Sequence, residues 1–295
     1  MKKYLIAGII ALIMIMPISG AVNIFSTNEV EETQINNLGA DFTHAVIGEY
    51  VTTTSCPHCP TASSQLYSIY DSGDYDFYYV TMVADENPRV YNRASELGVT
   101  AVPDVYFDGG YENILGEQVD EQPYRNAIVQ CGEREVPDIG LDVDVVWKGN
   151  GILKITVTIE NNEPEEFDGH LRVYIVEPES RWDDSSSNPY HFGVLDIPID
   201  RDAALVQGQP KPLGDTYTFT RTWFGSLYGF GDITEDNTMV IAAVFEKDSD
   251  YAVQTAAAEP TTSEGFQFIF SGKLINLLLQ LIRENGILSR LLNLS

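Results

Sequence analysis

The chain is 295 residues long, 44% hydrophobic and 21% charged, enough for two domains that each bury a core. Its 44 acidic side chains against 17 basic ones give a formal net charge of −27. So acidic a surface repels phosphate backbones and anionic head groups, which excludes nucleic acid as a partner.

Residues 1–21 read as an export signal: Lys2 and Lys3 form a positive start, an apolar run follows to Met16, Pro17 breaks it, and Ser19-Gly20-Ala21 offers a small-residue cleavage site. An uncleaved anchor is the alternative, since the apolar run with its flanks is just long enough to cross a bilayer. Either reading leaves the rest of the chain extracytoplasmic, secreted or tethered to a membrane, where disulfides form and persist. Residues 22–42 are polar and weakly periodic, as in a linker.

A strand-like run over 44–54 leads into Cys56-Pro57-His58-Cys59, and a helix-like run over 61–70 leads out. That setting predicts Cys56 at the helix N-cap or first turn, where free N–H groups and the helix dipole favour a thiolate. Cys59 falls one turn further on, close enough to close a disulfide. Pro57 suits the first helical position, whereas Pro60 disfavours helical geometry at Cys59 and predicts a distorted first turn. Half a zinc site is the rival reading of a CxxC. With three cysteines in all, no second CxxC, and His44, His58, His170 and His191 at no HxxxH spacing, redox chemistry is favoured and no metal is expected.

The pattern continues with a strand over 76–83, a helix over 88–97, short strands over 104–107 and 111–115 around Gly109-Gly110, and a helix over 121–133. Cys131, on the apolar stripe of that last helix with Ile128, reads as a core residue, with a second redox partner as the alternative. This β-α-β-α-β-β-α order over 43–134, with CxxC opening the first helix, resembles the thioredoxin fold. So does Gly98-Val99-Thr100-Ala101-Val102-Pro103, which matches the approach to the cis-proline of thioredoxin-like proteins. The resemblance implies that Pro103 faces the disulfide and that Val102, with Pro57, meets an extended substrate strand. It also implies a buried acid serving Cys59 as proton acceptor. Tyr50 stands at that position; Glu49, one residue earlier, fills the role if a bulge in Thr52-Thr53-Thr54 moves it, and is otherwise an edge-strand charge. The Pro57-His58 pair resembles the DsbA type of oxidase, although the chain leaves no room for the helical subdomain of those proteins. By that likeness His58 tunes Cys56 toward the thiolate.

From Val136 the apolar period becomes two, in runs separated by Gly149-Asn150-Gly151, Asn161-Asn162, Asp168-Gly169 and Asp248-Ser249-Asp250. These predict an immunoglobulin-like antiparallel sandwich over 136–258. Residues 181–213 read as its long irregular section, where Trp182, Tyr190, His191 and Phe192 anchor the connection or line a peptide-binding surface. The pairing of an exported thioredoxin-like unit with a sandwich resembles the twenty-eight-kilodalton outer-membrane-protein family, as does the closing stretch from Asp250 to Ala257. Residues 259–295 then hold a linker and an amphipathic helix over 273–293, too short in its uncharged stretch to span a bilayer. Its apolar face needs cover from a membrane interface, a second subunit or the sandwich.

The expected fold class is therefore α/β plus all-β: a thioredoxin-like domain, an immunoglobulin-like β-sandwich and a C-terminal amphipathic helix. The expected function is an extracytoplasmic thiol–disulfide oxidoreductase acting on protein thiols and disulfides through Cys56 and Cys59, with no bound cofactor. A surface binding or assembly protein with an idle redox unit is one alternative. An electron carrier serving a membrane redox partner is another.

Overall fold

A computed structural model describes residues 42–164, 166–202 and 216–262. Strand β1 (Val46–Thr52) is buried along its whole length, as its Val, Ile and Tyr content favours. It pairs in parallel with β2 (Phe77–Val83) on one side and antiparallel with β3 (Asp104–Phe107) on the other; β3 then pairs with β4 (Glu112–Leu115). Helix α1 (Cys59–Ser72) buries Ala62, Leu66 and Ile69, which recur at helical spacing, and ends at Gly73 in the left-handed conformation that glycine favours. A 3-10 turn at Pro88–Val90 runs into the short α2 (Tyr91–Glu96), and α3 (Gln122–Gly132) closes the first half with Cys131 in the core.

The second half contributes β5 (Ile139–Trp147), β6 (Ile152–Asn161), β7 (Gly169–Asp183), β8 (Pro189–Asp202), β9 (Thr216–Phe224), β10 (Met239–Glu246), β11 (Ala252–Ala258) and β12 (Thr261–Thr262). They do not form a sandwich of their own. One eight-stranded sheet runs in the order β11-β10-β7-β8-β2-β1-β3-β4 through both halves, and a four-stranded sheet β12-β5-β6-β9 covers part of it. The junction is a parallel bridge between Thr81 of β2 and Gly193 of β8. Side chains reinforce it: Thr81 Oγ1 donates to the His191 carbonyl at 2.6 Å, and Asn87 Nδ2 donates to the Val194 carbonyl at 2.6 Å.

This corrects the expected fold class. The chain forms a β-rich fold built on a shared mixed sheet, not a thioredoxin-like domain followed by a free-standing immunoglobulin-like sandwich. The reason lies in β7 and β10, which are apolar on both faces. Leu171, Val173, Ile175, Val240, Ala242 and Val244 face the four-stranded sheet, while Tyr174, Val176, Ile241, Ala243 and Phe245 join the core built by β1, β2, α1 and α3. Successive strand residues point to opposite faces, so such strands need cover on both sides. The irregular section expected from residue 181 is corrected too: up to Asp202 it belongs to the long β7–β8 hairpin. The stretch expected to be a linker after residue 258 opens with β12, parallel to β5. The export segment over 1–21, the linker up to residue 41 and the amphipathic helix over 273–293 lie outside the described residues. Among the described residues no helix is long and apolar enough to cross a membrane.

Candidate functional site

Cys56 and Cys59 are joined in a disulfide, with Cα atoms 5.4 Å apart. The residues between them, Pro57 and His58, are exposed, whereas Cys56 is 6% exposed and Cys59 fully buried. Helix α1 begins at Cys59 with His58 as its N-cap, so Cys56 precedes the helix rather than capping it. Proline explains the late start. Pro60 has no N–H to donate to the Cys56 carbonyl, so the bond that would begin the helix earlier cannot form. That carbonyl accepts instead from Ser185 Oγ at 2.8 Å, at the tip of the β7–β8 hairpin. The Cys56 N–H donates to the Thr53 carbonyl at 3.2 Å, and Asp85 holds the same turn by accepting from the Thr54 N–H and hydroxyl at 3.0 and 2.6 Å.

Beneath the disulfide lies a set of buried hydroxyls. Tyr50 donates to the Cys59 carbonyl at 3.0 Å, and Tyr190 donates to the Thr53 carbonyl at 3.0 Å. Thr52 Oγ1 sits between the two phenols, 3.1 Å from Tyr50 and 2.8 Å from Tyr190. Burial raises both phenols, Tyr190 to about 12, so they stay protonated and act as donors. His191 stacks flat on Tyr67 of α1 with ring centroids 3.5 Å apart, which fixes β8 against the helix. Its Nδ1 donates to the Pro178 carbonyl at 3.2 Å, and burial holds it below its usual value, as a neutral ring. Trp182, Tyr190 and Phe192 all pack into or against the cores, the anchoring alternative of the two expected for them.

Glu49 is placed against its expected role. The β1 register runs without a bulge, so Glu49 and Tyr50 point to opposite faces of the sheet. Tyr50 takes the cysteine side. Glu49, fully buried, accepts from Arg93 Nε and Nη2 at 2.7 and 2.6 Å and from the Tyr174 hydroxyl at 2.5 Å. Burial alone would raise its carboxyl, but the Arg93 guanidinium first, together with Arg172 and the Tyr174 hydroxyl, outweighs that and holds it below the usual carboxylate range. A carboxylate so paired is neither free to accept a proton nor on the side of Cys59. The edge-strand alternative fails as well, since β1 lies inside the sheet.

The Val102–Pro103 peptide is cis, with Pro103 buried and Val102 half-buried. Its connection to the disulfide runs through a residue the sequence did not single out. The Pro103 carbonyl accepts from the Gly116 N–H at 2.7 Å, and the next residue, Glu117, accepts from His58 Nδ1 and from Thr61 Oγ1, both at 2.6 Å. Those two bonds, Thr61 first, hold the Glu117 carboxyl below its usual range. His58 is thus engaged with Glu117. Ser185 and Glu117 were missed, because both sit in loops far along the chain, and Tyr50 was named only as the residue standing where an acid was expected. Cys131 is a free thiol, fully buried and raised by that burial, which makes it inert. Among the described residues no group of three or more His, Cys, Asp or Glu side chains is placed to hold a metal ion.

No family model and no curated protein matches the chain. Among solved structures it is similar to an Agrobacterium tumefaciens structural-genomics protein at 15% identity, covering 77% of this chain and 99% of that one, with a TM-score of 0.46. It is similar to a domain of the outer membrane lipoprotein Omp28 from Porphyromonas gingivalis at 14% identity, over 43% of this chain and 92% of that one, with a TM-score of 0.28. A Bacteroides uniformis β-glucuronidase is similar over 41% of this chain and 12% of its own length, at 13% identity and a TM-score of 0.25.

Proposed function

We propose that Cys56 and Cys59 are the redox couple of an extracytoplasmic thiol–disulfide oxidoreductase acting on protein thiols and disulfides. The observation that carries this reading is the disulfide itself, closed across two exposed residues at the start of a helix. In the oxidising direction a substrate thiolate attacks Cys56 Sγ, the S–S bond breaks, and Cys59 leaves as a thiolate that takes up a proton. A second substrate thiolate then attacks the substrate sulfur of the mixed disulfide and expels Cys56. Two electrons pass to the couple and the substrate is left as a disulfide. A membrane redox partner or a small disulfide must then reoxidise the dithiol; with a reductant in its place, the same steps reverse. The slight exposure of Cys56 against the full burial of Cys59 supports Cys56 as the attacked sulfur. The export segment in the sequence supports the compartment.

The low exposure of both cysteines and the Ser185 contact favour a second reading, in which the disulfide is a staple in a surface binding or assembly protein. Trapping separates the two. Under the first, Cys59→Ser accumulates mixed disulfides on Cys56 with exported proteins and Cys56→Ser accumulates few. Equal trapping by both variants, or none, rejects it.

A further inference from the structure

Glu117 sits where two parts of the site meet. Its neighbour Gly116 is bonded to the cis-proline, and its own carboxylate joins the residue between the cysteines to the first turn of α1. An ionised carboxylate only accepts, so the facing nitrogen of His58 must carry the proton. That proton is therefore committed to Glu117. The second consequence is electrostatic. His58 lies two residues from Cys56 and Thr61 two residues from Cys59, each pair within about 7 Å along the chain, and both side chains donate to the Glu117 carboxylate. The disulfide is neutral, whereas the reduced pair places negative charge on Cys56 as its thiolate forms, so a fixed anion nearby favours the oxidised form.

We propose that Glu117 is a positioning residue of the couple: it accepts the His58 Nδ1–H and holds a carboxylate on His58 and Thr61, the residues on either side of Cys59, making the couple more reducing than an unpartnered imidazole there would make it. The inference rests on reading the pair as a redox couple. It also revises the role expected of His58, because its Nδ1–H is donated to Glu117 rather than held toward Cys56.

The test is equilibration of the purified protein with glutathione buffers of graded ratio, reading the fraction of reduced Cys56/Cys59. Glu117 is half-exposed, with 40% of its side chain in water, so Glu117→Gln keeps the fold. The expected result is a shift toward the dithiol of about threefold in the equilibrium constant, about 14 mV for a two-electron couple. Glu117→Asp, which keeps the charge, stays near wild type. The shift shrinks in 1 M salt, where the screening length falls to about 3 Å. An unchanged constant in Glu117→Gln overturns the proposal; so does a shift shared by Glu117→Asp and indifferent to salt, which marks a packing effect. The equilibrium needs no protein substrate. Loss of turnover with the shift intact therefore removes the catalytic reading alone, and turnover without the shift removes the role of Glu117 alone.

Discussion

Arg93 and Glu49 form a buried ion pair at the centre of the shared core, with the two side chains 8% and 0% exposed. Removing one partner of such a pair leaves an uncompensated charge, at a cost of about 3–5 kcal/mol. Arg93→Met is therefore expected to lower the urea unfolding midpoint sharply, and Tyr174→Phe, which removes one neutral donor to the same carboxylate, to do so less. The pair also sets an acid limit. Glu49 has a folded value below its ordinary 4.5, so its contribution is complete above 4.5 and is lost as pH falls through the lower folded value. His170 works in the opposite sense. Its bond to Asp200 raises it above 6.5, so its contribution is complete below 6.5 and is lost as pH rises through the raised value. Urea titrations across pH should show both limbs, with His170→Asn flattening the alkaline one and leaving the acid one intact.

The β7–β8 hairpin matters most among the elements, because its tip reaches the disulfide. Ser185→Ala removes the hydroxyl bonded to the Cys56 carbonyl, a contact worth about 0.5–1.5 kcal/mol. The expected outcome is faster reduction of Cys56–Cys59 by a small thiol, read by stopped-flow alkylation, with the fold unchanged by circular dichroism. An unchanged rate would mean that the tip does not guard the bond. This hairpin was also the least legible element in the sequence. Pro189 and Pro198 argue against a strand, yet Pro189 opens β8 and Pro198 falls where the register slips between the Val173–Ile199 and Ile175–Asp196 pairs, places where a missing N–H is tolerated. By contrast β1, β2, β3 and α3 lie within about two residues of where alternation, turn residues and prolines put them. The cysteines and the proline turn were legible because each is chemically distinctive. Glu117 was not, since its partners are made only by tertiary approach.

At the scale of the molecule, one sheet and one core draw on both halves of the chain. Residues 43–134 and 136–258 expressed separately are therefore expected to be insoluble or molten. The whole chain should unfold in one transition, seen as coincident curves from tyrosine fluorescence and far-ultraviolet circular dichroism. Two separated transitions would show that the halves are independent. The sequence held a signal for this union. Met239–Glu246 is apolar almost without a break, as a strand covered on both faces must be, whereas a sandwich strand with one wet face alternates. The Thr81–Gly193 bridge also bears on solubility. Any unpaired sheet border offers a row of N–H and C=O groups to a passing chain. Standing apart, the β11-β10-β7-β8 and β2-β1-β3-β4 groups would expose four such borders; splicing β8 to β2 leaves two, one of them the short β4 flanked by Glu112 and Glu117. A side chain at Gly193 would press on β7 within the hairpin that carries the splice, because its Cβ would fall 2.8 Å from Ser180 Cβ. Gly193→Val should therefore loosen the β7–β8 hairpin that carries the splice and be recovered as aggregate, by light scattering, before it loses its helices.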